Sequence, residues 1–228
     1  MKDNTYIVAA AKPWNRRIFD EELLGSPGNW LLFSDPDELN YKIVSEISPR
    51  YIFFLHWSWK VPNEIIDNNE CICFHMTDVP YGRGGSPLQN LILRGPKKTK
   101  LTALQMNESF DSGSVYLKKE LCLGGNAEEI YIRASYLSVE MIDQIIKEEP
   151  EPVPQIGEPT IFKRRLPHQS EIQKNINLSQ LFDFIRMLDA ESYPRAYLEH
   201  KGFRYEFSRV SFSDGRLVAD VEITAMEE

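Results

Sequence analysis

One short segment of the chain carries most of its chemically useful side chains. His75 ends an apolar run, and Gly82, Gly84 and Gly85 follow shortly after it. A histidine can move a proton near neutral pH, and glycines let backbone amides approach a ligand closely. The segment is not a Walker loop, because the glycine–lysine–serine or threonine ending is missing. Taken alone, it also fits a capped loop histidine or a phosphate-binding turn.

A carboxylate occurs in a second loop further along the chain. Asp111 belongs to a Phe-Asp-Ser-Gly sequence that lies between two predicted strands. Asp-Ser-Gly is a common turn sequence, so the signal is weak by itself. If both loops lie at the same end of a sheet, Asp111 would hold His75 in one tautomer for acid–base chemistry.

The elements that must position these residues alternate between short apolar runs and helical patterns. Such alternation predicts βαβ units. The predicted fold class is α/β, a Rossmann-like, mostly parallel sheet with helices on both faces, plus a small C-terminal β-rich appendage. His75 would then lie at the carboxyl end of a strand, where ligands bind in such folds. The first four predicted strands are Thr5–Ala11, Trp30–Phe33, Tyr51–Leu55 and Cys71–Phe74.

The helical patterns and the later strands complete this picture. A proline in the first turn indicates one of the helices. A long amphipathic helix comes last before a change in composition. The predicted helices are Asn15–Leu24, Asp37–Ile47, Pro87–Arg94 and Ala127–Glu148, and the later strands are Lys100–Met106 and Ser114–Leu121.

A proline-rich stretch from Glu148 to Pro159 indicates a boundary. Beyond it, Leu178–Leu188 has the pattern of an amphipathic helix that Ser179 could cap. Three short strands follow, with turns at Lys201-Gly202 and Asp214-Gly215. We predict a catalytic domain at 1–150, a linker at 151–176 and a small helix-plus-β subdomain at 177–228.

Composition narrows the class of protein. The 228 residues include 42% hydrophobic and 26% charged residues, as in ordinary globular domains. A net charge of −8 argues against nucleic acid or an anionic membrane as the main partner. Three cysteines and no signal-peptide pattern predict a cytoplasmic protein without a disulfide framework. Cys71 and Cys73 are interpreted as core thiols, and no metal site is predicted.

Three separated blocks of residues, taken together, resemble the formyltetrahydrofolate-dependent formyltransferases, which include methionyl-tRNA and sugar N-formyltransferases. The resemblance covers about residues 50 to 210 and keeps the order of the blocks. The first block is His75, Thr77, Pro80, Arg83, Gly84 and Pro87, followed by Asp111 and Gly113. The others are Phe162–Pro167 with Glu171-Ile172, and Phe184–Arg186 with Tyr193–Tyr197.

The resemblance implies a mechanism in which an amine attacks the formyl carbon of 10-formyltetrahydrofolate. His75 would relay the amine proton and help to stabilise the oxyanion, and Asp111 would orient His75. Cys73 stands where the family pattern has an asparagine. A thiol is a poor donor, and losing one oxyanion donor can cost roughly a hundredfold in rate. Either Thr77 or a backbone amide compensates, or the activity is weak or altered; a nucleophilic Cys73 is disfavoured.

The resemblance also implies residues around the donor. The loop with His56, Trp57 and Trp59 would form walls around the pterin, although both tryptophans could equally close the edge of the core. His56 would be a polar neighbour of the site. Asn107 would line the folate pocket. Arg83, which could meet a phosphate or carboxylate, and Gly84 are further candidate cofactor-binding residues.

The acceptor must present an amine. The acidic balance disfavours tRNA, and the first strand lacks the glycine-rich phosphate loop of glycinamide ribonucleotide enzymes. We predict a nucleotide-linked amino sugar of surface glycan biosynthesis, with no nucleic-acid or membrane partner. The alternatives are methionyl-tRNA formyltransferase-like activity and a non-catalytic module that binds folate or a sugar nucleotide. The Leu178–Leu188 helix could also support a homodimer.

Overall fold

Strands and helices alternate through most of the chain, which ends in an antiparallel sheet. The computed structural model describes residues 4–226, and the elements are numbered in chain order. The strands are β1 Thr5–Ala9, β2 Asn29–Phe33, β3 Tyr51–Phe54, β4 Cys71–His75, β5 Tyr81–Gly84, β6 Lys98–Gln105, β7 Val115–Cys122, β8 Thr160–Phe162, β9 Ala196–His200, β10 Phe203–Ser213 and β11 Arg216–Ala225. The helices are α1 Pro13–Ile18, α2 Tyr41–Ile47, α3 Asn63–Asn68, α4 Pro87–Arg94, α5 Ala127–Glu148 and α6 Leu178–Arg186.

The chain packs as two compact units. The first unit contains Met1–Gly84, Thr99–Leu121 and Ile132–Ile161, and the second contains Gly85–Lys98, Cys122–Tyr131 and Phe162–Glu228. The predicted domain limits at residues 150 and 176 stay a prediction.

A six-stranded sheet in the order β2-β1-β3-β4-β6-β7 forms the centre of the first unit. β1 pairs in parallel with β2 and β3, and β3 pairs in parallel with β4. β4 pairs antiparallel with β6, so that His75 lies opposite Thr102. Ile7, Ile52 and Phe53 are fully buried, as continuous apolar runs in a covered parallel sheet should be. The predicted mostly parallel α/β sheet is confirmed.

Two predicted helices occur at the expected positions, but each consists of two helical segments of different type. The Asn15–Leu24 pattern forms α1 followed by a π-helical turn at Phe19–Leu23. The Asp37–Ile47 pattern is split into a 3-10 turn and α2. Asn40 causes this second start, because its side chain accepts a hydrogen bond from the Ile43 N–H. Within residues 4–226, no helix has the length and apolar character needed to cross a membrane.

The sequence patterns did not predict three short elements, α3, β5 and β8. α3 follows Pro62, and β5 lies within the glycine-rich segment that was predicted to be a loop. β5 forms a two-stranded sheet with β8, and the Thr160 N–H donates to the Pro80 carbonyl at 3.1 Å. Val153 exchanges two backbone hydrogen bonds with Val115, at 2.8 and 2.9 Å. The proline-rich segment is therefore tied to the first unit.

The second unit contains a three-stranded antiparallel sheet in the order β11-β10-β9. Lys201-Gly202 and Asp214-Gly215 have positive φ at all four positions, as tight hairpin turns require. α6 packs against β10. The prediction that Ser179 caps α6 was wrong. Asn177 is the cap, because its side chain accepts from the Gln180 N–H while the Gln180 side chain accepts from the Asn177 N–H.

Candidate active site

His75 is the last residue of β4, and its imidazole is buried and hydrogen-bonded. Its Nε2 lies 2.8 Å from the Gly82 carbonyl oxygen, which can only accept a hydrogen bond, so Nε2 carries a hydrogen. The Thr77 hydroxyl donates to the same carbonyl at 3.3 Å, and the Thr102 hydroxyl donates to the Thr77 carbonyl at 2.7 Å. These contacts leave Nδ1 as the ring nitrogen that can take up or release a proton.

Asp111 lies beside that free nitrogen. Its Oδ1 is 3.4 Å from His75 Nδ1, and its Oδ2 accepts the Gly84 backbone N–H at 2.9 Å. Asp111 has φ = 53°, a left-handed conformation that non-glycine residues rarely adopt. Two residues later, a Cβ on Gly113 would lie 1.7 Å from the Gln105 carbonyl oxygen, so only glycine fits this turn. The tertiary structure therefore brings His75 and Asp111 together.

Cys73 lies two residues before His75 on β4 and is half-buried. Burial, with the nearby Asp111 carboxylate adding to it, raises the pKa of the Cys73 thiol well above its ordinary value. Burial and the Glu70 charge raise the pKa of Cys71 to about 12. Both thiols are therefore neutral at pH 7, which argues against Cys73 as a nucleophile.

An open pocket adjoins Cys73 and Asp111. Its walls include apolar side chains and amide groups, a combination that fits a flat ring with polar edges. Two residues predicted to contact the donor, Trp59 and Asn107, lie in this lining, and Phe110 at 80% exposure forms part of it. The lining residues are Trp59, Lys60, Val61, Asn63, Ile66, Cys73, Gln105, Met106, Asn107, Glu108, Ser109, Phe110, Asp111 and Gly113.

Two other residues of the predicted donor loop lie outside this lining. The Trp57 ring packs edge-on against Trp59, with ring centroids 4.9 Å apart, and against Phe54, with centroids 6.3 Å apart. Trp57 therefore supports the pocket wall from the core. The centroids of the His56 and Trp14 rings are 5.8 Å apart. Burial, with a smaller effect of the Lys12 charge, lowers the pKa of His56 to about 3. His56 is therefore neutral at pH 7.

Arg83 and Gly84 also lie outside the pocket lining; Gly84 contacts Asp111 directly, and Arg83 is linked to the Asp111 loop through Gln155. The Gly84 amide binds the Asp111 carboxylate, and Arg83 donates from Nε and Nη2 to the Gln155 side-chain oxygen at 3.0 and 2.8 Å. The Gln155 amide in turn donates to the backbone carbonyls of Asp111 and Gly113, at 2.9 and 2.8 Å. No sequence pattern pointed to Gln155, because a glutamine in a proline-rich segment has no distinctive signal.

Known proteins resemble this chain over most of its length. A family model described as the C-terminal domain of methionyl-tRNA formyltransferase matches residues 167–224. The structure of a methionyl-tRNA formyltransferase from Clostridium thermocellum is 45% identical, with a TM-score of 0.92, over 97% of this chain and 99% of that one. A 4-N formyltransferase structure from Francisella tularensis is 15% identical, with a TM-score of 0.68, over 100% of both chains, which shows a shared fold.

Among curated proteins, the methionyl-tRNA formyltransferase of Thermodesulfovibrio yellowstonii is 24% identical over 84% of this chain and 64% of its own length. That of Sulfurimonas denitrificans is 31% identical over 47% of this chain and 37% of its own length. The chain thus spans less than two thirds of these curated relatives. The match to the Clostridium thermocellum structure covers nearly the whole of both chains at 45% identity. The chain therefore belongs to the formyltransferase family.

Proposed function

We propose that this chain transfers a formyl group from 10-formyltetrahydrofolate to the amine of an acceptor molecule. The observation that carries the proposal is the 3.4 Å approach of Asp111 Oδ1 to His75 Nδ1, next to a pocket that Asp111 itself lines. Membership of the formyltransferase family supports the reaction type. The pocket supports the donor, because Trp59 offers an aromatic face and Asn107 offers its side-chain NH2 group, while its Oδ1 accepts from Ser109 and Ser112.

The residues of the pair have distinct roles in this proposal. The bound donor would supply the formyl group, which would exchange its bond to tetrahydrofolate for a bond to the acceptor nitrogen and so become a formamide. His75 Nδ1 takes the proton that the attacking amine loses and returns it to the departing tetrahydrofolate nitrogen. Asp111 holds the imidazole in orientation and stabilises its charged form while it carries that proton.

Cys73 sets the strength of the oxyanion contacts in this proposal. Its neutral thiol lines the pocket but is a weak hydrogen-bond donor. The His75 Nε2 hydrogen is already used by the Gly82 carbonyl. Formyl transfer by this chain is therefore expected to be slow unless the substrate or a backbone amide supplies the missing donor.

A nucleotide-linked amino sugar is the first candidate acceptor. The net charge of −8 disfavours a polyanionic RNA. A small acceptor also makes few demands on surface outside the pocket. The predicted role in surface glycan biosynthesis belongs to this candidate.

Methionyl-tRNA is the second candidate, and two observations favour it. The curated relatives and the 45% identical structure carry the name methionyl-tRNA formyltransferase. In addition, the second unit has as many basic as acidic residues, so the net charge of −8 belongs to the first unit. The basic run Lys163-Arg164-Arg165 lies in this second unit, whose net charge is zero, so the electrostatic argument against RNA does not apply there.

One assay tests the reaction and separates the acceptors. Purified chain is incubated with 10-formyltetrahydrofolate and either a panel of nucleotide-linked amino sugars or methionyl-tRNA, and the formylated product and tetrahydrofolate are measured. We expect stoichiometric formamide and tetrahydrofolate with one acceptor class, and loss of both in His75→Asn. Donor binding without turnover of any acceptor, in the native chain and in Cys73→Asn, would show a non-catalytic binding module instead.

A further inference from the structure

The short strand β5 contacts the His75–Asp111 pair through residues on either side of Arg83. The Gly82 carbonyl accepts from His75 Nε2, and the Gly84 amide donates to Asp111 Oδ2. The backbone of β5 therefore holds one atom of each partner. The backbone of the loop from which Asp111 projects is bound by a different residue.

Gln155 holds that loop. Its Nε2 donates to the Asp111 carbonyl at 2.9 Å and to the Gly113 carbonyl at 2.8 Å, which uses both amide hydrogens. Its Oε1 accepts from Nε and Nη2 of Arg83, whose guanidinium fixes the position of the amide. A chain of contacts thus runs from β5 through Arg83 and Gln155 to the Asp111 turn.

The Asp111 turn needs such a contact. The left-handed φ of 53° at Asp111 costs some free energy, although aspartate tolerates this conformation better than most residues, and contacts with its carbonyl offset that cost. The two carbonyls that Gln155 binds belong to Asp111 itself and to Gly113, which no other residue can replace without a clash. Release of these carbonyls would let the turn relax and move Oδ1 away from His75 Nδ1.

We propose that Gln155 is a positioning residue that keeps Asp111 next to His75 for the proposed formyl transfer, on which this inference rests. The role requires an amide. A glutamate at this position would still pair with Arg83, but it would place an anionic oxygen against two carbonyl oxygens. A leucine would fill similar space and would bind neither the loop nor Arg83.

Kinetics of matched variants test the role. We expect kcat to fall about 10- to 100-fold in Gln155→Leu and in Gln155→Glu, as a small misplacement of a reacting group does. The KM of the acceptor should change far less than kcat. Ile156→Ala is the control, because Ile156 is the adjacent residue and is 88% exposed. Equal kcat in native, Ile156→Ala and Gln155→Leu proteins would overturn the inference.

A spectroscopic measurement keeps the test independent of turnover. The chain has four histidines, and the imidazole ¹⁵N signals of His75 are identified by their loss in His75→Asn. Gln155→Leu should move the His75 signals and leave those of exposed His168 unchanged, whereas Ile156→Ala should move neither. Unmoved His75 signals would disprove the positioning role even if the chain formylates nothing. Moved signals with an inactive native chain would reject the proposed function alone.

Discussion

Asp111 Oδ2 accepts the Gly84 N–H at 2.9 Å, while the other oxygen of the same carboxylate faces His75 Nδ1 at 3.4 Å. One oxygen is therefore fixed by the backbone and the other is directed at the imidazole. A carboxylate held in this way cannot rotate freely away from the histidine. It keeps a negative charge next to the nitrogen that must carry a proton during amine attack.

Asp111→Asn should remove this charge while keeping the shape of the side chain. An asparagine oxygen can still accept the Gly84 N–H, so the turn should stay folded. We expect kcat for formyl transfer to fall about 10²- to 10⁴-fold, the usual range for loss of acid–base assistance. The matched control is Asp78→Asn, which removes an exposed carboxylate paired with Lys118. Similar kcat values for the two variants would contradict the role given to Asp111.

Cys73→Asn tests the departure from the family pattern. The native thiol is neutral and donates weakly, whereas an asparagine amide would offer an N–H to the developing oxyanion. We expect kcat to rise about tenfold, within the effect known for one oxyanion donor. Cys73→Ser serves as the control, because its hydroxyl is similar in size to the native thiol and extends less far into the pocket than an asparagine amide. If Cys73→Asn is slower than the native chain, the thiol itself has a function.

Trp59→Ala should weaken binding of the formyl donor. Trp59 is 46% exposed and lines the pocket, so its ring offers a face to a flat ligand. Loss of one aromatic contact of about 1.4 kcal/mol raises Kd roughly tenfold. The Kd of tetrahydrofolate, measured by fluorescence or calorimetry, should rise by this factor, and Trp59→Phe should retain most of the affinity. An unchanged Kd in Trp59→Ala would place the donor elsewhere.

Asn15→Ala should destabilise the fold without touching the site. Asn15 is buried, and its side chain donates to the Leu55 carbonyl at 3.0 Å and accepts from the Ser135 hydroxyl at 2.5 Å. The variant removes both hydrogen bonds and takes away the side-chain donor of the buried Leu55 carbonyl, at a cost of about 1–3 kcal/mol. Urea unfolding measures the loss. Asn29→Ala is the control, because the side chain of exposed Asn29 donates to the Thr5 hydroxyl at the long distance of 3.4 Å, and an equal loss there would refute the argument.

His56 should make the unfolding free energy depend on pH between about 3 and 6.5. Its pKa falls from 6.5 to about 3 on folding, so in this range the unfolded chain binds a proton that the folded chain does not. Stability should therefore decrease as the pH falls below 6.5, by up to about 1.4 kcal/mol per pH unit.

His56→Asn removes the imidazole and is compatible with the backbone conformation at this position. His56 has φ = 52°, and asparagine tolerates left-handed backbone. Urea unfolding at pH 7 and pH 5 should show a smaller difference for His56→Asn than for the native chain. His168→Asn, at an exposed position, should keep the native difference. Identical pH dependence in the native chain and His56→Asn would show that His56 does not titrate as described.

Much of the fold could be predicted because its signals are local. Apolar runs placed β1, β3 and β4, and Pro87 fixed the start of α4. Glycines at Lys201-Gly202 and Asp214-Gly215 specified hairpin turns through their positive φ. β5 was missed because three glycines in a short segment have no strand pattern. It is a strand only because the segment around Thr160 supplies a pairing partner.

The sequence by itself determined the parallel sheet, the place of His75 at the end of a strand, and the identity of Asp111 as its partner through the family pattern. The sheet and the place of His75 follow from residue periodicity, whereas the pairing with Asp111 is what the resemblance to the family implies. Only the tertiary structure decided that Gly84 binds the Asp111 carboxylate and that Gln155, itself held by Arg83, binds the Asp111 loop. Gln155 reaches Asp111 across 44 residues of sequence. Such a contact depends on how separate elements pack, which no local pattern encodes.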